Sequence, residues 1–152
     1  MLNKLFVYGT LRAAFDSAMA RFLRTRGRLL GQGHLPGYLL DLGRYPGFIP
    51  DPTAQVRVEG DIFELYDPYP TLDTLDAYEG IDPARPQEAE YRREKCRIRM
   101  PRGNTLCWTY VFTGPADAFP RIPDGCYVTY AMQTGEHRRF LNQGADHTPQ
   151  SP

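Results

Sequence analysis

Two stretches of this sequence combine reactive residue types with a local geometry able to use them. In the first, the short apolar run Lys4 to Tyr8 is stopped by Gly9, and Tyr8-Gly9-Thr10-Leu11-Arg12 follows. This is the pattern of a buried strand entering a glycine-containing turn. Such a turn can point consecutive backbone N–H groups at a carboxylate or at the oxyanion of an acyl-transfer intermediate. The same residues also suit an ordinary strand-to-loop turn in which Thr10 caps the next segment. The second stretch ends at Glu79. Leu72, Leu75 and Glu79 sit at i, i+3 and i+7, one stripe of a short helix closed by Gly80. A carboxylate on that stripe is desolvated, and the negative end of the helix dipole disfavours its charge further. Both effects raise a glutamate pKa from its reference of about 4.3 toward the range useful for proton transfer at neutral pH. Asp73 and Asp76 fall on the opposite side, expected to be solvated. A structural ion pair of Glu79 with Arg92 or Arg93 is the alternative, and periodicity alone leaves both open.

Positioning these groups requires a frame, and the hydrophobic pattern outlines one. Phe15, Ala18, Met19, Phe22 and Leu23 recur at helical spacing, predicting a helix over 13–25 with a stop at Gly27. Between residues 27 and 52 the density of glycine and proline predicts short strands at 29–30 and 38–42 joined by turns. Residues 54–65 alternate: Val56, Val58 and Ile62 share one face, and Arg57, Glu59 and Asp61 the other. Asp67-Pro68 breaks that strand. A charged strand over 91–100 turns at Pro101-Arg102-Gly103-Asn104 into a second, where Leu106, Trp108, Tyr110 and Phe112 share a face. A last strand is expected over 127–130. Together these predict an α+β domain over residues 1–134, a small, mostly antiparallel β-barrel with surrounding helices. Residues 135–152 form a polar tail expected to be flexible.

A chain of 152 residues holds one domain with a real core. Lys+Arg and Asp+Glu balance at 18 each, so no global field draws nucleic acid or an anionic membrane. Basic residues cluster at 21–28 and 92–99, without the interleaved stacking aromatics of single-strand binders, and read as solvated faces. Cys96, Cys107 and Cys126 are odd in number and form no C-x-x-C pair, which argues against a disulfide framework or a structural zinc site. His34, His137 and His147 lack metal-ligand spacing. No segment reaches the roughly 18 apolar residues of a membrane span, and the N-terminal apolar run is too short for a signal peptide. A cytoplasmic protein with no metal, nucleic-acid or membrane partner is expected.

Several motifs in one order resemble the γ-glutamylcyclotransferase-like (AIG2-like) family. They are the Tyr8–Arg12 turn, the glycine-punctuated Gly37–Gly47 segment, Val58-Glu59-Gly60-Asp61-Ile62-Phe63-Glu64-Leu65, Leu75-Asp76-Ala77-Tyr78-Glu79-Gly80, and Tyr91-Arg92-Arg93. The resemblance implies a small β-barrel with helices around it. It also implies cleavage of γ-glutamyl amides or amines by cyclisation to 5-oxoproline. Glu79 would be the acid/base, and Tyr8, Gly9, Thr10 and Leu11 would hold the glutamyl group. The family's tyrosine corresponding to Tyr91 lies near the carboxylate, where it would orient it by a hydrogen bond. Phe48 and Tyr110 are candidate pocket residues, with Tyr127 open to the same reading. Because the substrate's own amine attacks, no Ser or Cys nucleophile, metal or cofactor is required. Other readings are a non-enzymatic module binding a carboxylate metabolite, and a sibling enzyme removing a γ-glutamyl group from a biosynthetic intermediate. Two departures bear on substrate choice: Asp82-Pro83-Ala84-Arg85-Pro86 lengthens the link to Tyr91, and Asp124-Gly125-Cys126-Tyr127 replaces a family G-D-W.

Overall fold

Alternation between residues 57 and 65 produces a strand with a partner on each side, and from it the sheet closes on itself. The computed structural model describes residues 2–43 and 45–133. Its strands are β1 (Lys4–Val7), β2 (Gly27–Asp41), β3 (Pro46–Pro50), β4 (Arg57–Leu65), β5 (Tyr91–Met100), β6 (Gly103–Phe112) and β7 (Arg121–Ile122). Its helices are α1 (Ala18–Arg26), α2 (Pro68–Tyr78) and α3 (Tyr127–Gln133). The order β2-β4-β1-β6-β5 returns to β2 through His34 opposite Arg99, giving a closed five-stranded barrel. Neighbours in the ring are antiparallel except β1 and β6, which pair in parallel. β3 and β7 both add to the far half of β2, outside the ring.

Strands buried on both faces read as continuous apolar runs, and Leu5-Phe6-Val7 is one. Phe6, Val58, Ile62, Ile98, Cys107 and Val111 belong to one apolar layer. Leu5, Val7, Phe63 and Leu65 belong to the other, packing with Leu23 of α1 and Leu72 and Leu75 of α2. The expected Leu106–Phe112 face belongs to this second layer through Trp108, Tyr110 and Phe112, while Leu106 stays exposed.

Three expectations are corrected. The glycine-rich stretch is a single 15-residue strand rather than two short ones. Its glycines serve a bulge between Leu29 and Gly31 and a close approach at Gly33. A Cβ on Gly33 would lie 2.6 Å from Ile98 Cγ2 and 2.9 Å from the Arg99 carbonyl, so this glycine lets β2 reach β5 and close the ring. Helix α1 begins at Ala18, later than expected, because Ser17 caps it: the Ala20 N–H donates to Ser17 Oγ at 3.1 Å. Residues 127–130 are helical, since Tyr127 and Ala131 bury the same face one turn apart; their β-branched and aromatic composition is overridden by packing. Asp61, on the polar side of the β4 alternation, is 3% exposed. The proposed 135–152 tail, with His137 and His147, lies outside the described residues.

Candidate active site

Helix α2 starts with Pro68 in its first turn and delivers Glu79 as its C-cap. Gly80 follows at φ +78°, the left-handed conformation that only glycine adopts without strain. The Gly80 N–H donates to the Ala77 carbonyl at 3.1 Å and the Ile81 N–H to the Asp76 carbonyl at 2.9 Å. These paired bonds end the helix abruptly and fix the backbone from which Glu79 projects. Leu72 and Leu75 are buried as the stripe predicts, and Glu79 on the same stripe is 4% exposed.

Neither carboxyl oxygen of Glu79 has a hydrogen-bond partner among the described residues. The arginines considered for an ion pair are engaged elsewhere. Arg93 Nε and Nη2 donate to the two Asp76 oxygens at 2.8 and 3.1 Å, and Arg92 pairs with Glu94 at 3.1 Å. Asp76, expected to be solvated, is instead partly buried and also accepts the Tyr110 hydroxyl at 2.7 Å. Burial is the main force raising the Glu79 pKa well above 4.5, with the Asp76 and Glu90 charges adding to it.

A shell of phenols surrounds this carboxyl. Tyr8, Tyr91 and Tyr110 are buried, which raises each well above its ordinary 10, and the Glu79 charge reaches all three. Tyr45 is pushed up to about 12 by burial first, then by Glu90, with Glu79 contributing. Their protons are directed at other acceptors: Tyr8 donates to the Tyr110 carbonyl at 2.7 Å and Tyr91 to the Pro46 carbonyl at 2.8 Å. The expected hydrogen bond from Tyr91 to the glutamate is therefore absent; Tyr91 instead anchors the start of β3. Phe48 is fully buried with its ring 5.4 Å from that of Tyr8, a core contact that backs the phenol shell. Tyr127 lies apart, packed on Phe15 at 5.9 Å and influenced by Asp41.

The turn after β1 is held against this cluster. The Arg12 N–H closes it on the Gly9 carbonyl at 3.1 Å. Arg12 Nη2 and the Ala13 N–H both reach Asp61, at 3.2 and 2.8 Å, in a buried tie to β4. Thr10 does not cap the helix; its carbonyl accepts from Ser17 Oγ at 3.1 Å, and its side chain hydrogen-bonds Tyr78, next to Glu79. Leu11 is buried in the layer shared with Leu72 and Leu75. The structure thus brings Tyr8, Tyr91 and Tyr110, with Tyr45, within reach of one carboxyl's charge, while Thr10 approaches only as far as Tyr78, the neighbour of Glu79 in the chain. Sequence reasoning missed Asp76, Arg93, Arg12, Asp61, Tyr45 and Glu90. All but Glu90 stand inside the motifs that carry the family resemblance, but nothing in those motifs gave them a role at the carboxyl. Among the described residues the three cysteines are free, and no group of three or more His, Cys, Asp or Glu is arranged to hold a metal ion. No helix among them is long and apolar enough to cross a membrane.

A closed barrel carrying a buried carboxyl at a glycine-terminated helix end defines an α+β barrel of the γ-glutamylcyclotransferase-like type. The family described as gamma-glutamyl cyclotransferase, AIG2-like, matches residues 5–129, and the chain belongs to it. Membership supports a cyclotransferase-type function in general terms. No curated protein matches the sequence. Among solved structures, protein ytfP from Escherichia coli is 30% identical, with 84% of this chain covering 97% of that one at a TM-score of 0.57. An AIG2-like protein (GGACT) from Mus musculus shares 21% identity over 83% of this chain and 88% of its own, TM-score 0.64. YkqA from Bacillus subtilis shares 20% identity and a TM-score of 0.67; 88% of this chain covers 42% of that one. The last two likenesses speak to the fold.

Proposed function

We propose that this protein cyclises the γ-glutamyl group of a γ-glutamyl amide or amine, releasing 5-oxoproline and a free amine or amino acid. The observation that carries this reading is the Glu79 carboxyl, buried with no protein hydrogen bond among the described residues. A group in that state favours its neutral form, and an ammonium arriving beside it favours the carboxylate. The substrate's α-ammonium is such a cation.

Glu79 takes one proton from the ammonium, freeing the nitrogen lone pair. That nitrogen attacks the δ-carbonyl carbon, the ring C–N bond forms, and the carbonyl electron pair moves onto oxygen. The oxyanion collapses, breaking the bond to the leaving amine, and Glu79 returns its proton to the departing nitrogen. The ring nitrogen's surplus proton also passes to the amine, which leaves as an ammonium. The turn from Tyr8 to Leu11 holds the glutamyl carboxylate or the oxyanion with backbone N–H groups. Folding the substrate so that amine and carbonyl meet supplies much of the acceleration. A cytoplasmic setting belongs to this reading, since a reducing compartment suits free thiols.

Product analysis on a panel of γ-glutamyl amines and amino acids tests the reaction. Free 5-oxoproline is expected from at least one substrate, and none from its N-acetylated counterpart, whose amine cannot attack. Release of glutamate instead of 5-oxoproline, or turnover of the acetylated compound, contradicts intramolecular attack.

A further inference from the structure

The two basic clusters of the sequence have different fates. In the first, Arg21 and Arg24 pair with Asp16, and Arg28 pairs with Glu64. In the second, Arg92 and Arg93 are engaged by Glu94 and Asp76. Arg97 and Arg99 of β5, with Arg57 of β4, are exposed and enter no ion pair among the described residues. They meet at the seam where the barrel closes. There β2 pairs with β5 only at His34 opposite Arg99; beyond it, residues 37–41 of β2 pair with β3, and Leu39 and Leu40 also with β7. At this seam lies a groove of about 310 Å3 lined by His34, Pro36, Arg57, Arg97, Arg99 and Asn104.

Register explains the convergence. Arg99 faces His34 across one pairing and Asn104 across another, while Pro36 faces Arg57. His34 is held below its ordinary 6.5 by burial first, then by Arg57 and Arg99, with Glu59 pulling the other way. Both guanidiniums are therefore close to one imidazole. The chain as a whole is formally neutral, so three guanidiniums around one concavity, with Glu59 beside it, make a local excess of positive charge.

We infer that this groove is a second ligand site, separate from Glu79, which binds the phosphate chain of a small molecule carrying a di- or polyphosphate group. Guanidinium forks match phosphate oxygens bidentately, and several of them around one cleft suit adjoining phosphates. Asn104 adds a neutral amide donor. The groove has small-molecule dimensions, and its lining has no aromatic ring on which a base could stack, which sets it apart from a single-strand nucleic-acid surface. None of its residues belongs to the phenol and carboxyl cluster around Glu79.

The test is calorimetric titration of the full-length chain with inorganic pyrophosphate and tripolyphosphate at fixed ionic strength, with citrate and a single-stranded oligonucleotide as comparison ligands. Saturable one-to-one binding of tripolyphosphate, tighter than citrate, is expected. The double variant Arg97→Gln/Arg99→Gln should weaken it by at least about tenfold, with thermal unfolding unchanged. The charge-preserving Arg97→Lys/Arg99→Lys pair should also weaken it, because the fork is lost. Absence of saturable binding overturns the site, as does equal binding by the lysine variant, which would mark a diffuse charge effect. Citrate binding as tightly as tripolyphosphate, or the oligonucleotide binding more tightly, also contradicts a polyphosphate site.

Discussion

Glu79 combines three conditions rarely met together: burial, placement at a helix C-terminus, and no hydrogen bond to its oxygens among the described residues. Its pKa in the folded chain is raised above the ordinary 4.5. Between those two values the native state keeps a proton that the unfolded chain has released. Stability therefore falls as pH rises above 4.5 and levels off once the folded carboxyl ionises. Glu79→Gln removes this dependence. Its melting temperature should match wild type well below pH 4.5 and exceed it progressively toward neutral pH; a constant difference across that range contradicts the assignment. Arg93 gives a second prediction. Arg93→Ala leaves the Asp76 charge uncompensated, so the Glu79 pKa rises further and the acid limb of kcat/KM moves to higher pH, while an unmoved limb argues against coupling. At this scale the stripe through Leu72 and Leu75 made Glu79 legible. Asp76 was not, because helical phase put it on the outer side without revealing that β5 and β6 cover that side with Arg93 and Tyr110. The Tyr91 hydroxyl was equally hidden, since its acceptor, the Pro46 carbonyl, is 45 residues away in sequence.

Elements act on the site through their ends and closest approaches. The end of α2 depends on Gly80, whose φ of +78° strains any other residue, although a Cβ there would meet nothing within 4 Å. Gly80→Ala should cost about 1–2 kcal/mol through backbone strain alone. It should also lower kcat, because the same bonds aim Glu79. Chemical denaturation and steady-state rates at equal folded fraction separate the two effects; full kcat in the folded variant would show that the helix end does not position the carboxyl. Ser17→Ala offers a contrast: loss of the α1 cap should cost about 1 kcal/mol with little effect on rate, and a large fall in kcat would extend the site to α1. Alternation and helical stripes identified β4, β5, β6 and the Glu79 end of α2. The long β2 was misread because glycines that permit a bulge and a close approach to β5 resemble turn glycines. The α3 segment was misread because its composition favours a strand until Ala131 supplies the second buried position.

On the scale of the whole molecule, a closed barrel holds β1 and its following turn beside the end of α2, although Tyr8 and Glu79 lie far apart along the chain. The buried Arg12–Asp61 tie pins the turn to β4. Removing one partner strands the other charge, so Asp61→Ala should cost about 3–5 kcal/mol and loosen the turn. Equilibrium unfolding checks the loss, and a change below about 1 kcal/mol would mean that the pair does not organise the turn. The barrel was legible from strand periodicity, but its closure was not, since one pairing between His34 and Arg99 leaves no pattern in either strand. The proposed reaction requires this frame to present one buried carboxyl to a γ-glutamyl group. It is tested most directly by measuring 5-oxoproline formation by wild type and Glu79→Gln at matched folded concentration. Product is expected from wild type and none above background from the variant, with its fold intact by circular dichroism. Comparable 5-oxoproline formation by the folded Glu79→Gln protein would contradict the claim.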